Sequence, residues 1–446
     1  MQYQVLSVGI ASLPLSNYSW DGMNDVKKQE CEPKENSCSK PFIYTRHEHQ
    51  ISSHLIDPDA LKILYRLQRF GFKAYLVGGS VRDLLLNKRP KDFDIATNAT
   101  PRQVKELFRN SRIIGRRFKL VHVVFRGQKT IEVSTFRDAS SLNNSDQNNS
   151  EDIRPIMTDN TYGNEETDAV RRDITINALF LDPKDMSIID YVGGINDIRD
   201  GVVRVIGNPD IRFAEDPVRL IRVIRHAARA GFIVEKKTWA SIVKNTELIR
   251  RSSTVRVYEE VKKDLLSGYS LGILRLLAKS NLLPLLFPAL GKHANLLLSE
   301  NSPLSNMLGR IDDSKRKGIE YNNATILSNI SFFLRKPDSI SFNILERFQD
   351  EEVIHEHVLK CFHGLAVPRK ERERIDGILT LWFLLAAGSK RFHMRKNKEE
   401  RDSLYDLLFI FDSHDLSLFE SRIREEAIAR NKYRNERRRK RLIRNG

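Results

Sequence analysis

The chain has 446 residues and a formal net charge of +16, with 74 Lys and Arg against 58 Asp and Glu. Its 40% hydrophobic and 8% aromatic content can supply real cores, which excludes wholesale disorder, and at about 150 residues per domain it holds two to four units. No apolar run of about 18 residues occurs, so no spanning helix is predicted, and a balance this basic points to a polyanion, nucleic acid before an anionic membrane.

Residues 1–42 are polar and irregular and are expected to be poorly ordered. The N-terminal "VLSVGIASLPL" lacks a basic start and a cleavage site, so no signal peptide is predicted. Cys31, Cys38 and Cys361 are scattered, which implies neither a disulfide framework nor a zinc site. A reduced, cytoplasmic protein is expected.

Asp57 as a cap, Pro58 in the first turn, apolar residues at 60, 61, 64 and 67, and Gly71 as a stop predict a helix over 57–71. "KAYLV" (73–77) reads as a strand, and "VRDLLL" starts a helix after Gly78-Gly79. "DFDIA" reads as a second strand, and Thr100-Pro101 opens a helix through Phe108. "RIIG", "LVHVVF" and "TIEVSTF" (130–136) read as further strands. The Asn-, Ser- and Asp-rich stretch at 138–155 is expected to be a mobile loop. "TDAVRRDITINALFL" is predicted helical, followed by a short β-like "MSIIDYVGG". From Glu215 to about residue 430 the pattern is mostly helical, with no repeat of fixed period.

Several residues carry chemistry. Glycines such as Gly78 and Gly79 let backbone N–H groups approach an anion, and Arg82 adds a fork of donors suited to phosphate oxygens. Alone, the Gly pair reads as a tight turn. Asp92 and Asp94, one residue apart, share a face if the stretch is a strand, and can serve hard divalent cations as oxygen ligands. In "TIEVSTF", alternation puts Glu132 opposite Ile131 and Val133, toward a sheet surface or cleft. Three carboxylates on neighbouring strands repel each other unless cations neutralise them. Two Mg²⁺ ions bridging them would bind nucleotide phosphates, activate an attacking hydroxyl and stabilise the leaving oxygen. Further along, Arg219, Arg222, Arg225 and Arg229 are spaced 3, 3 and 4, so on a helix they form one basic stripe. Glu215, four residues before Arg219, can orient it by an ion pair.

These residues carry a family resemblance. "LVGGSVRDLLLNKRPKDFDIATNATP" resembles the first motif of the class II nucleotidyltransferases, the tRNA CCA-adding enzymes and bacterial poly(A) polymerases. "RRDITINALF" (171–180), "DYVGGINDIRDGVVRVIG" (190–207) and "EDPVRLIRVIRHAARAGF" (215–232) resemble the second, third and fourth. The resemblance implies an α+β fold. A small mixed β-sheet nucleotidyltransferase head at 43–181 would precede an all-α neck at 182–268 that binds base and RNA. A helical RNA-binding body and tail would follow at 269–430, flanked by the extension 1–42 and a basic tail at 431–446. It implies Asp92 and Asp94 as metal-binding catalytic carboxylates and Glu132 as the third acid. Gly78, Gly79 and Arg82 would hold the triphosphate, and Arg171, Arg172 and Asp173 would contact the nucleotide and its ribose. Glu215, Asp216 and Arg219 match the motif that reads the incoming base.

"RNSRIIGRRFKLVHVVF" (109–125) resembles the poly(A) polymerase branch from Gly115 to Phe118, with Arg116 and Arg117 as RNA contacts, and "LAVPRKERERI" (365–375) resembles that branch's helical tail. The expected activity is template-independent addition of AMP from ATP to RNA 3′ ends, with two Mg²⁺ ions, or Mn²⁺ in their place, as cofactors. RNA 3′ ends and ATP are the expected partners, with no membrane, and the chain is expected to be monomeric. RNA targets and partners such as RNA-decay proteins are not legible. The rivals are CCA addition to tRNA and a non-catalytic RNA-binding protein that kept the fold.

Residues 422–446 hold 11 Lys and Arg against 3 Glu, half of the chain's net charge. The run Arg437, Arg438, Arg439, Lys440 and Arg441 is read as an RNA-binding arm. Deleting 434–446 should weaken RNA binding and flatten its salt dependence, measured by titrating labelled RNA at several salt concentrations. An unchanged slope would make the run a solvated end.

Overall fold

The computed structural model describes residues 40–425, except 50, 116–118, 139–161, 301, 338, 340, 390–397, 412–414 and 423. Most of the 138–155 loop, Arg116, Arg117 and the terminal arginine run therefore lie outside the described residues. The chain divides into two compact units, Met1–Asn208 with Gly231–Glu235, and Pro209–Ala230 with Lys236–Gly446.

The first unit is built on an eight-stranded mixed sheet. Its strands are β1 (Phe42–Tyr44), β2 (Ala74–Val77), β3 (Asp94–Thr97), β4 (Ser111–Ile114), β5 (Leu120–Val124), β6 (Thr130–Thr135), β7 (Leu179–Leu181) and β8 (Ile188–Asp190). The spatial order is β1-β8-β7-β2-β3-β6-β5-β4. Only β3 and β6 pair in parallel within it; the other pairs are antiparallel. A second, two-stranded sheet joins β9 (Val202–Val203) and β10 (Ile233–Val234).

Local chemistry sets the helix ends. Asp57 accepts from the N–H of Asp59 and Pro58 opens α1 (Pro58–Arg69), whose Ala60, Ile63, Leu64 and Leu67 are buried. Gly78 at φ 74° begins α2 (Gly79–Leu85), and a Thr100–Gln103 capping box begins α3 (Pro101–Leu107). In β5 and β6, Val121, Val123, Ile131 and Val133 are buried, and their alternating neighbours face the other side.

Two expectations need correction. The first strand begins at Phe42, inside the segment read as an irregular extension, and pairs with β8. The helix predicted across 167–181 is three things instead: α4 (Glu165–Val170), a single 3₁₀ turn at Thr175–Asn177, and β7. Ile174, Thr175 and Ile176 are β-branched and stiff in a helix. They are buried, and Ile174 forms a β-bridge with Val205. Leu179, Phe180 and Leu181 are then fully buried between β2 and β8.

The "DYVGGIND" stretch is a structural joint. Buried Asp190 accepts hydrogen bonds from the backbone N–H groups of Val192, Gly193, Gly194 and Ile195, which lead into α5 (Gly194–Asp200). Thr175 Oγ1 donates to Asp197 within α5 at 2.5 Å.

The second unit is almost wholly helical, as expected from Glu215 onward. It opens with α6 (Pro209–Glu215), α7 (Arg219–Ala230), α8 (Lys236–Lys244), α9 (Thr254–Leu265) and α10 (Ser270–Lys279). Asp312 closes the start of α10, accepting from Ser270 N, Ser270 Oγ and Leu271 N. Farther along, Phe332 stacks on Trp382 at 4.8 Å, with Phe411 against both. Among the described residues no helix is long and apolar enough to cross a membrane.

Gly194 tolerates no side chain, because a Cβ there would stand 2.3 Å from the Thr175 carbonyl oxygen, which is backbone and cannot swing away. Gly194→Ala should cost about 1–3 kcal/mol in urea denaturation. An unchanged midpoint would show that the joint is loose.

Candidate active site

The parallel pairing of β3 with β6 sets Asp94 directly beside Glu132. Asp94 also faces Val77, the last residue of β2 before the Gly78 turn. The strand starts at Asp94, so Asp92 lies in the approach to β3 and not within the ladder. Glu132 points to the open side, half exposed, with Ile131 and Val133 buried behind it, as alternation predicts.

Burial pushes the Asp94 carboxyl up to about 6; Glu132 adds to this, Arg172 opposes it, and Asp92 adds again. Asp94 keeps accessible surface at the strand end, so this is the crowding of a cleft floor, not of a sealed core. The side chain of Glu132 also meets His122 on β5, whose Nε2 donates to Glu132 Oε1 at 3.1 Å.

The Gly78 turn borders the same place. A Cβ at Gly78 would stand 3.5 Å from Arg172 Nη1 and 3.6 Å from Asp94 Oδ2. Glycine therefore leaves a cradle between a guanidinium and a carboxylate, and its φ of 74° also disfavours a side chain. Arg82 is buried; its guanidinium lies against Gly79 and donates to Asp83 Oδ1 and to Asn177 Oδ1.

Asp168 organises the second motif. It is fully buried on α4 and takes both arginines. Arg171 Nη2 donates to Oδ1 at 2.5 Å, and Arg172 Nη2 to Oδ2 at 2.9 Å. Burial alone would push its carboxyl up; Arg172 and Arg171 outweigh that and hold it below the ordinary carboxylate range. Arg172 also donates to the Asn177 carbonyl and lies over the Phe180 ring at 5.6 Å. Asp173 follows, partly buried.

Asp168, His122 and Asn177 escaped the sequence reading. Asp168 had a usable signal, since it stands three and four residues before Arg171 and Arg172. His122 is the polar position of an otherwise alternating apolar strand, with Glu132 opposite it only through strand register.

The residues of the fourth motif come together in the second unit. Glu215 ends α6 and accepts from Arg212 Nη1 and Arg219 Nη1, each at 2.9 Å. The expected Glu215–Arg219 ion pair is present, but it spans the break between α6 and α7. Asp216 pairs with Arg256 at 2.7 Å. Arg219, Arg222, Arg225 and Arg229 all lie on α7 at the spacing that predicts a shared face. Arg225 is buried, bound to Asp264 and, at 2.5 Å, to Glu260 on α9, so it serves helix packing.

The acids and the cradle fit divalent cations. The donors are hard oxygens, and a cation would offset the burial and the Glu132 charge that together raise the Asp94 carboxyl. Among the described residues no three His, Cys, Asp or Glu side chains close into a ready metal cage. Mg²⁺ in nucleotide enzymes commonly takes one or two carboxylates and fills its shell with water and substrate phosphate.

Residues 74–204 match the family model described as the poly A polymerase head domain. Residues 231–293 match one described as a probable RNA and SrmB-binding site of polymerase A. Poly(A) polymerase I of Escherichia coli O157:H7 is 42% identical over 64% of this chain and 62% of its own length. A CCA-adding enzyme of Ligilactobacillus salivarius is 32% identical over 71% of this chain and 72% of its own. The Bacillus stearothermophilus CCA-adding enzyme, solved in complex with CTP, superposes with a TM-score of 0.59 at 26% identity, covering 83% of each chain. The chain spans about three fifths of the length of the poly(A) polymerases it matches.

Folding raises the Asp94 value from 3.8 to about 6. The stability tied to its protonated form is full below 3.8 and is lost as pH rises through about 6. In metal-free buffer, Asp94→Asn should therefore melt higher than the wild type near neutral pH. The gap should close on acidification toward the ordinary carboxylate range, followed by thermal melts across pH. A gap independent of pH would mean that folding does not raise the Asp94 carboxyl.

Proposed function

Because the chain belongs to the nucleotidyltransferase family that holds the poly(A) polymerases and the CCA-adding enzymes, we propose that it adds AMP from ATP to RNA 3′ ends without a template. The RNA 3′-oxygen bonds to the α-phosphorus of ATP. The bond from that phosphorus to the oxygen bridging to the β-phosphate breaks, and pyrophosphate leaves. The 3′-hydroxyl proton passes to solvent or a nearby base. The observation that carries this reading is the Asp94–Glu132 pair beside the Gly78 cradle.

Each residue has a task in this proposal. Asp92 and Asp94 hold the divalent ions, Mg²⁺ or Mn²⁺, with Glu132 as the third acid. When bound, such ions activate the attacking hydroxyl and offset charge on the leaving oxygen. Gly78 and Gly79 leave room for the triphosphate, and Arg82 braces that turn from beneath through Asp83 and Asn177. Arg171 and Arg172, held side by side on Asp168, present donors toward the nucleotide, followed by Asp173. Glu215 steers Arg219, and with Asp216 these groups read the base edge. RNA is held by the helical unit, by Arg116 and Arg117, and by the terminal run Arg437–Arg441. In this proposal the chain acts in the cytoplasm as a single copy, a reading that rests on its scattered cysteines and composition.

CCA addition is the second reading, favoured by the 0.59 superposition on a CTP-bound CCA-adding enzyme. The 42% identity to poly(A) polymerase I over 64% of this chain supports the poly(A) reading.

Extension of a generic RNA primer should proceed with ATP, and Asp92→Ala or Asp94→Ala should lower its rate at least about a hundredfold. Wild-type rates from either variant would overturn the mechanism. Efficient CTP incorporation confined to tRNA lacking its CCA end would overturn the choice of product.

A further inference from the structure

The sheet carries a polar row that the proposed chemistry uses only at one end. Strand register aligns Asp94 with Glu132, Glu132 with His122, and His122 with Arg112. Directly paired residues share a face, so all four lie on one side of the sheet. Behind them Ile95, Val133, Ile131, Val121 and Val123 are buried. The row runs from the acids across β6 and β5 to the edge strand β4. Three strand spacings put the Arg112 backbone roughly 14 Å from that of Asp94.

Arg112 is exposed, and among the described residues no hydrogen bond or ion pair engages its side chain. Other arginines of this unit have carboxylate partners, such as Arg82 with Asp83 and Arg171 with Asp168. Next to the Arg112–His122 pair, Ile114 faces Leu120 on the same side, with Ile114 43% exposed. A guanidinium with no partner among the described residues, beside exposed Ile114 and half-buried Leu120 on a face that leads to the acids, suits a chain of alternating phosphates and flat bases. Guanidinium binds phosphate oxygens bidentately, and an apolar surface accepts a base without reading its sequence.

We infer that the Glu132–His122–Arg112 row is the track for the 3′-terminal segment of the growing RNA strand, with Arg112 binding a phosphodiester upstream of the reacting end. His122 separates the two charges and keeps the Glu132 carboxylate turned along the row. Ile114 and Leu120 carry a base of the same segment. The inference rests on the proposed RNA extension for the identity of the strand.

The test compares the full-length wild type with Arg112→Ala, Arg112→Lys and Ile114→Asp. Arg112 and Ile114 are exposed on an edge strand, so folding should survive, as circular dichroism would verify. Binding of a labelled short oligoadenylate is measured across salt concentrations, alongside extension kinetics. Arg112→Ala should raise the KM for the oligonucleotide about tenfold, with kcat and the KM for ATP unchanged. It should also reduce the salt slope by about 0.7, the value of one phosphate contact on a single strand. Arg112→Lys should recover part of the loss, and Ile114→Asp should reproduce it by repulsion. If the wild type extends RNA and Arg112→Ala binds and extends like it, the track is overturned. A change in the KM for ATP alone would overturn it as well. If the wild type extends no RNA yet Arg112→Ala weakens oligonucleotide binding with the predicted slope, the track stands and the proposed reaction falls.

Discussion

One parallel strand pair governs the candidate site of this protein. By aligning β3 with β6, the fold forces Asp94 and Glu132 into adjacent positions on central strands of the sheet. Burial first and the neighbouring Glu132 second make the charged form unfavourable, and the cost appears as an Asp94 carboxyl that holds its proton above the ordinary range. The surroundings offset only part of it. Arg172 leans in from the second motif, and Gly78 withholds the side chain that would fill the space between them. A site left short of positive charge in this way has the hard oxygen donors that the proposed divalent cations would use.

Positive charge elsewhere is divided between structure and surface. Arg225 is buried with Glu260 and Asp264. Arg347 is fully buried, donates to the carbonyls of Phe332, Lys336, Ser339 and Ser341, and lies 4.3 Å from the centre of the Phe332 ring. Neither is available to a nucleic acid. The excess of +16 therefore overstates the binding surface wherever guanidinium groups are used as internal braces.

Local signals were legible where the physics is local. The caps at Asp57 and Thr100, the alternation that turns Glu132 outward, and the helical run after Glu215 could be read from spacing alone. The spacing of Glu215 and Arg219 predicted their ion pair but not the break between α6 and α7 that it spans. The helix expected over 167–181 failed because pairing of Leu179–Leu181 with neighbouring strands outweighs local helix preference. The four arginines share α7 as their spacing predicted, but periodicity does not say that Arg225 within that row meets carboxylates on α9. His122 and Arg112 were invisible as partners of the acids, because strand order β3-β6-β5-β4 is not written in any short stretch of chain.

The buried carboxylate of Asp168 has a consequence for how this site can vary. Its two oxygens are divided between Arg171 and Arg172, so each guanidinium is held in place partly by the presence of the other. Losing either would leave the fully buried carboxylate with only part of its charge balance. The three residues consequently form one heritable unit, and a lineage departing from this arrangement must cross an unstable intermediate or change them together.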